Sequence, residues 1–184
     1  MKHLFQYIIF LFNMMLIVLL VGCKNQDTTL SQKGEVEMSI QIKSSAFSEG
    51  DKIPRLYSCD DKNISPPISW TGVPSDTVSV ALIMDDPDAP MGTWVHWVVF
   101  NLSPDVTELE QGKSGDDTEG KNDFGRVGYG GPCPPKGSNH RYFIKVYALD
   151  RMLDLKEGVT KAQVESAMRG HILAQGQLMG KYGR

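Results

Sequence analysis

The sequence has no run of basic residues and more acidic than basic side chains. Among its 184 residues, 19 are Lys or Arg and 22 are Asp or Glu, which gives a formal charge of -3 at pH 7. Proteins that bind nucleic acid or anionic lipid mainly through charge need a basic face, so neither is expected as a dominant partner. Internal repeats and low-complexity tracts are absent as well, and the length fits one domain.

Cysteine is also scarce, with 3 residues in the chain. Cys23 follows Gly22 and an almost unbroken apolar run over residues 8–21, and Lys2 is the single charge before it. This order is typical of a secretory signal. The run is shorter than the roughly 20 apolar residues that span a bilayer, and no basic cluster follows it. We therefore expect cleavage after Gly22, with an uncleaved N-terminal anchor helix as the alternative.

The residues around this cleavage site resemble the lipobox of bacterial lipoproteins, in which the cysteine sulfur receives a diacylglycerol. The resemblance implies a signal peptide over residues 1–22 and lipid attachment at Cys23. It also implies a location in the cell envelope, outside the cytoplasm and anchored to a membrane. Residues 24–35 are polar and have no apolar period, so we expect residues 23–35 to form a lipidated flexible tether. Residues 36–184 then form the domain.

Cys59 and Cys133 remain as an even pair. An oxidising compartment favours a disulfide between them. Two free thiols are the alternative, because the sequence does not show whether the two Cα atoms lie within about 4.4 to 6.8 Å, the range that a bridge requires.

The pattern of apolar residues predicts many strands and few helices. Two-residue alternation and β-branched runs predict strands near residues 37–42, 78–84, 93–102 and 141–150. Thr160 and Gln163 form a capping-box pattern for a short helix that ends at Gly170. Residues 171–179 fit a helix or a strand, and their alternation favours a strand.

A stretch rich in Gly, Asp and Glu, residues 103–131, predicts a long surface loop. The connections between strands differ too much in length for βαβ repeats. The chain is therefore predicted to be mostly β, an antiparallel β-sandwich with one or two small helices.

Three predicted strand ends carry polar side chains. Alternation places Asp86 on the apolar face of its strand, pairs Trp94 with His96 on one face, and pairs His140 with Tyr142 on another. A carboxylate at the edge of a core needs donors, since an unpaired buried charge costs several kcal/mol. Segments rich in proline and glycine flank these ends and would form stiff rims. The ends either converge on one pocket or hold separate polar residues at the sheet margin.

At these residues the sequence resembles the phosphatidylethanolamine-binding protein family, specifically its bacterial Raf kinase inhibitor-like branch. Four motifs carry the resemblance, Asp-Pro-Asp-Ala-Pro at 86–90, Trp-Val-His at 94–96, Pro-Pro-Lys-Gly at 134–137 and His-Arg-Tyr at 140–142. The resemblance implies a β-sandwich with a small pocket that accepts phosphate or a phospholipid headgroup. Carried over by position, the ligand-binding residues are Asp86, Trp94, His96, Pro134, Pro135, His140 and Tyr142, with Cys133 at the rim.

We therefore expect non-catalytic binding of a small anion in a preformed pocket, with no cofactor and no metal. Two imidazoles and a phenol can donate to the oxygens of an anion, and Asp86 would fix the histidine tautomers. Such an anion is expected to bind more tightly below about pH 6.5, where imidazoles become charged.

Two other functions remain open. One is a protein-interaction module, like an inhibitor of a protease or kinase, that contacts an unidentified envelope protein through residues 103–131. Export would keep cytosolic kinases out of its reach. The other is a metal-dependent hydrolase in which Asp86, His96 and His140 form a two-histidine, one-carboxylate site. The sequence has neither a Gly-x-Ser-x-Gly nor a His-Glu-x-x-His motif, so a serine nucleophile or zincin mechanism has no support.

Overall fold

A computed structural model of the chain describes residues 40–113 and 118–184, which belong to one compact unit. These residues form seven strands, one α-helix and one 3-10 turn at Arg55–Tyr57. The strands are β1 Gln41–Lys43, β2 Ile68–Thr71, β3 Ser79–Asp86, β4 Trp94–Leu102, β5 Glu108–Leu109, β6 Asn139–Leu149 and β7 Ile172–Gly183, and the helix is α1 Lys161–Met168.

The strands form two antiparallel sheets. The small sheet has the order β1-β2-β5 and the large sheet has the order β4-β3-β6-β7. The predicted antiparallel, mostly β architecture is therefore confirmed, and the strand prediction for residues 171–179 is confirmed by β7.

The main core lies between the two sheets. Alternate residues of β3, such as Leu82 and Met84, are fully buried there together with Ile144 of β6. Trp70 of β2 packs into the same cluster. Apolar burial of this kind contributes about 25 cal/mol for each Å² removed from water, so the alternation fixes which face of each strand turns inward.

The opposite face of the large sheet is covered as well. Ala81 and Ile83 of β3 belong to a second cluster that contains Val164 and Met168 of α1. The helix begins with the predicted capping box, in which Thr160 accepts from the backbone of Gln163 and the Gln163 side chain accepts from the backbone of Thr160. Because both of its faces are covered, the large sheet is a rigid platform for side chains at its edges.

Part of the predicted surface loop is more ordered than expected. Residues 103–131 include β5, which pairs with β2, and isolated bridges at Glu119 and Lys121. Several of its residues are buried, including Asn122 and Gly130. The prediction of a simple surface loop was therefore wrong for these parts. A composition rich in Gly, Asp and Glu does not show which backbone segments pack against the strands.

Several predictions fall on residues that are not described. The signal peptide, the tether, Cys23 and the start of the first predicted strand all precede Ile40, and residues 114–117 belong to the predicted loop. Within the described part of the chain, no helix is both long and apolar enough to cross a membrane.

Candidate functional site

The ends of three neighbouring strands meet at one edge of the large sheet. β3 ends at Asp86, β4 begins at Trp94 and β6 begins at Asn139. Because β3 runs antiparallel to both neighbours, these ends lie at the same edge. A cavity of about 290 Å³ opens there. Its predicted lining residues are Asp86, Trp94, His96, Pro134, Pro135 and His140, and its other lining residues are Ala89, Pro90, Phe124, Cys133 and Arg184.

A β-bulge in β4 directs His96 towards this cavity. Met84 pairs with Trp97 and Asp85 pairs with Val95, so His96 has no residue opposite it in β3. Trp97 packs in the core between the sheets. The ring of His96 packs edge-on against Tyr142 of the same core, with the ring centroids 5.1 Å apart. The bulge therefore lets two consecutive side chains contact the inner side of the sandwich.

Asp86 and His140 form a buried pair in the pocket wall. Nδ1 of His140 lies 2.8 Å from Oδ2 of Asp86, and the two residues are 6% and 3% exposed. The other carboxylate oxygen accepts the backbone N–H of Asp88 at 2.8 Å. Since the carboxylate must accept, Nδ1 of His140 carries a proton, and Nε2 is the ring nitrogen left for a ligand.

His96 is held in the same tautomer by a different partner. Its Nδ1 donates to the carbonyl oxygen of Gly130 at 2.6 Å, which again leaves Nε2 for a ligand. Burial lowers the pKa of His96, and the hydrogen bond to Gly130 only partly offsets this. His96 is therefore neutral near pH 7 and presents an acceptor at Nε2.

This electrostatic arrangement corrects part of the prediction about pH. We expected both imidazoles to gain charge below about pH 6.5, but burial lowers the pKa of His96, so this ring takes up its proton at a lower pH than a free imidazole does. Asp86 lies beside His140, where a ring charge would be balanced. Of the two rings, His140 is the one placed to donate to an anion after protonation.

Tyr142 lies behind the pocket and does not line it. Its side chain is fully buried and packs edge-on against His96 with the ring centroids 5.1 Å apart. Its hydroxyl has no hydrogen-bond partner, and burial together with the nearby Asp86 carboxylate raises its pKa. Because Tyr142 does not line the cavity, its role as a donor to the ligand stays a prediction.

An ion pair fixes the loop between β3 and β4. Asp88 accepts from Nε and Nη2 of Arg141 at 2.9 and 2.6 Å, and also from the backbone of Arg141 at 2.9 Å. These hydrogen bonds lower the pKa of Asp88 to about 2. The loop that carries Ala89 and Pro90 into the pocket is thus tied to β6.

A disulfide fixes the proline-rich wall. Cys59 and Cys133 are bonded with an S–S distance of 2.01 Å and a Cα–Cα distance of 5.4 Å. The backbone N–H of Cys59 also donates to Pro132 at 3.1 Å. At Gly131 a Cβ atom would lie 2.2 Å from the carbonyl oxygen of Tyr57, so the two segments approach closely enough to require glycine.

Comparison with known sequences then identifies the family. The sequence profile of the phosphatidylethanolamine-binding proteins matches residues 43–183, which is most of the chain. The chain belongs to the phosphatidylethanolamine-binding protein family. Membership in this family indicates a ligand-binding role in general, and its members are generally binding or regulatory proteins.

Relatives and solved structures agree with this family. A UPF0098 protein of Methanothermobacter thermautotrophicus is 50% identical over 151 residues, covering 79% of this chain and 99% of the relative. A UPF0098 protein of Aquifex aeolicus is 48% identical over 152 residues, covering 79% and 89%. The crystal structure of a phosphatidylethanolamine-binding protein homologue from Chlamydia trachomatis has a TM-score of 0.76 at 46% identity, covering 79% and 98%. YbcL of Escherichia coli, described as a member of the mammalian family, has a TM-score of 0.74 at 31% identity, covering 79% and 99%.

Sequence analysis missed two residues that line the pocket of this phosphatidylethanolamine-binding protein, Phe124 and Arg184. Phe124 packs edge-on against Trp94 at 5.5 Å and against His96 at 5.4 Å. It comes from a stretch without periodicity, so no local signal identifies it. Arg184 follows β7, whose Gly183 pairs with Asn139 of β6. Alternation within β7 could not have placed Arg184 beside β6, because it gives the face of a side chain but not the neighbouring strand.

The described residues of this family member contain no group of three His, Cys, Asp or Glu side chains arranged to hold a metal ion. Asp86 and His140 hydrogen bond to each other, whereas Nδ1 of His96 is directed at Gly130. The pocket therefore offers one carboxylate, two ring nitrogens and a guanidinium between apolar walls. This set of groups suits hydrogen bonding to a small polar ligand.

Proposed function

We propose that the pocket binds a phosphate-type anion, either free or as the headgroup of a phospholipid, without changing it chemically. The observation that carries this proposal is the buried Asp86–His140 pair at the wall of a preformed cavity. Trp94, Pro134 and Pro135 supply the apolar walls. Such walls exclude water and so strengthen each hydrogen bond that the ligand makes.

Anion binding in this pocket is coupled to protonation of His140. Nδ1 of this ring is already used by Asp86, so Nε2 donates to an oxygen of the ligand only when the ring is doubly protonated. The Asp86 carboxylate balances the resulting ring charge. The anion should therefore bind more tightly at low pH, where imidazoles take up a proton.

The cellular context that we propose comes from the N-terminal sequence. Cleavage after Gly22 and lipidation at Cys23 would make the protein a lipoprotein of the cell envelope, anchored to a membrane outside the cytoplasm. The four motifs at the pocket support a place in the Raf kinase inhibitor-like branch of the family. A regulatory contact with an unidentified envelope protein is a further part of this proposal.

Calorimetric titration of the protein, purified in detergent, tests the binding. The ligands are inorganic phosphate, phosphoethanolamine and glycerophosphoethanolamine, each at pH 5.5 and pH 7.5. Glycerophosphoethanolamine is a diester whose phosphate keeps one negative charge over this range, whereas a phosphate monoester loses a proton near pH 6. Any pH dependence measured with the diester therefore belongs to the protein. We expect tighter binding at pH 5.5.

Two variants assign this pH dependence to a residue. His140→Gln should weaken binding and remove its dependence on pH. His171→Gln is the matched control, because His171 forms a similar pair with Asp150 at 2.9 Å but lies outside the pocket. Absence of binding heat for all three ligands at both pH values would overturn the proposed function.

A further inference from the structure

Arg184 is fixed at the pocket wall by its own backbone. Its N–H donates to the carbonyl of Ser138 at 3.2 Å, and its carbonyl accepts from the N–H of Gly137 at 2.8 Å. Both partners lie in the turn that directly follows Pro134 and Pro135. The residue is therefore attached to the same segment that forms the proline wall, and its side chain lines the cavity.

Asp60 orients the guanidinium of Arg184. Nη2 of Arg184 lies 2.9 Å from Oδ1 of Asp60, while Oδ2 of Asp60 accepts the hydroxyl of Tyr182 at 2.7 Å. The Tyr182 hydroxyl in turn accepts from Ser58 at 2.8 Å. The hydrogen bond from Tyr182 is the largest cause that lowers the pKa of Asp60. The charges of Arg184 and Arg55 lower it further. Asp60 thus stays ionised and holds one side of the guanidinium.

The other terminal nitrogen of Arg184 makes only long contacts. Nη1 lies 3.5 Å from Sγ of Cys133 and 3.5 Å from the carbonyl oxygen of Pro134, and both of these residues line the cavity. Hydrogen bonds from nitrogen to oxygen are usually 2.7 to 3.2 Å long, so this nitrogen keeps donor capacity. The side chain is 27% exposed, which leaves it open to a ligand.

The charges in the pocket wall require a cation. Asp86 carries a negative charge that a protonated His140 only balances, and His96 is neutral near pH 7. These three residues therefore offer a phosphate group hydrogen bonds without a net positive charge. The guanidinium of Arg184 supplies a positive charge.

We propose that Arg184 is a ligand-contacting residue of the pocket, that its Nη1 donates to an oxygen of the bound phosphate, and that Asp60 is its positioning residue. This role rests on the proposed function, and it explains how the pocket would select a phosphate group as its ligand. A guanidinium fork matches the oxygens of a phosphate, and it gives no comparable gain with an uncharged polar molecule. The phosphate comes either from solution or from a lipid headgroup.

The test compares Arg184 variants by calorimetry at pH 5.5 and pH 7.5. The probes are inorganic phosphate for the free source, glycerophosphoethanolamine for the headgroup source, and glycerol as the uncharged control. Arg184→Gln should weaken both phosphate probes on the order of tenfold at both pH values, because a charged hydrogen bond is lost. The dependence on pH should persist, since it belongs to His140. Arg184→Lys and Asp60→Asn should show intermediate losses.

Arg169→Gln is the matched control, because Arg169 is exposed at the end of α1 and does not line the pocket. A second measurement does not depend on how the variants fold. In the wild-type protein, the side-chain ¹⁵N–¹H signals of Arg184 should shift when glycerophosphoethanolamine is added, and those of Arg169 should not.

The outcomes separate this inference from the proposed function. Normal binding by Arg184→Gln, or no shift of the Arg184 signals on saturation, would overturn the role of Arg184 and leave the proposed function standing. A wild-type protein that binds neither phosphate probe would overturn both. Tenfold loss with one phosphate probe alone would support the role of Arg184 and assign the ligand to that source.

Discussion

At the scale of single residues, the two pocket histidines differ in what they can do although both donate from Nδ1. His140 donates to a carboxylate, so a second proton on its ring is balanced by Asp86. His96 donates to the neutral carbonyl of Gly130 in a buried position, so burial opposes its charge. The proposed function therefore assigns the protonation that accompanies binding to His140, and treats His96 as a neutral part of the wall.

The lowered pKa of His96 makes the stability of the domain depend on pH. The unfolded chain takes up a proton at this residue near pH 6.5, while the folded protein resists it. Folding free energy is therefore lost as the pH falls below about 6.5, at up to about 1.4 kcal/mol per pH unit, until the folded state also binds the proton. His96→Gln should shrink the difference between the free energies of unfolding at pH 7.5 and pH 5.5, measured by urea denaturation.

His171→Gln is the control for this measurement, because His171 is partly exposed whereas His96 is buried. Equal pH dependence in wild type and His96→Gln would contradict the assignment. Strand alternation placed Asp86, His96 and His140 at strand ends but left open whether they converge, and the family resemblance implied a single pocket. Alternation could not show that the bulge leaves His96 unpaired, because a bulge depends on the register of two strands rather than on either sequence alone.

At the scale of elements, the capped helix α1 covers one face of the large sheet. Val164 and Met168 of α1 are buried against that face, and Lys161 forms an ion pair with the buried Asp85 of β3. The helix has only eight residues, so its stability depends on its cap and on this packing rather than on propensity.

Loss of the cap should therefore be measurable. Thr160→Ala removes the side-chain acceptor for the backbone of Gln163, and should lower the free energy of unfolding by about 1 kcal/mol. Thr160→Ser keeps a hydroxyl at the same place and should cost much less. Urea denaturation of the two variants at pH 7.5 provides the comparison, and identical losses would show that the hydroxyl contributes nothing.

The elements that sequence analysis missed are the short ones. β5 has two residues and β2 has four, so neither contains enough alternation to be separated from turn sequence. Both are held by pairing, Ile68 with Leu109 and Ile42 with Trp70. The capping box of α1, by contrast, was readable, because its two hydrogen bonds require particular residue types at a fixed spacing.

At the scale of the whole molecule, the disulfide joins two distant parts of the chain at the pocket. Cys59 and Cys133 are separated by 74 positions, and the bond holds the segment of Asp60 against the segment of Pro134. The sequence supplied the even pair of cysteines but not the distance between them, which depends on how the two loops pack around Gly131.

Removing this disulfide should affect stability and binding together. A closed loop of this length stabilises the folded state by about 4 kcal/mol in the chain-entropy description. The double variant Cys59→Ser/Cys133→Ser should lose free energy of unfolding of that order, and it should bind glycerophosphoethanolamine more weakly because the proline wall is no longer fixed. Wild-type protein treated with a reductant should behave in the same way, and unchanged denaturation midpoints in both would contradict the prediction.

The Nδ1 atoms of His140 and His96 both donate to protein acceptors already. Ligand binding should therefore also affect the heat that a calorimetric titration records. If Nε2 of a neutral His140 ring donates to glycerophosphoethanolamine, which has no proton to give in this pH range, the ring takes a proton from the surrounding buffer as the complex forms. The apparent enthalpy will then vary with the ionisation enthalpy of the buffer, and repeating the titration in phosphate-free buffers such as acetate and imidazole would count the protons consumed per ligand. In an unbuffered solution, each binding event would make the surroundings slightly more alkaline.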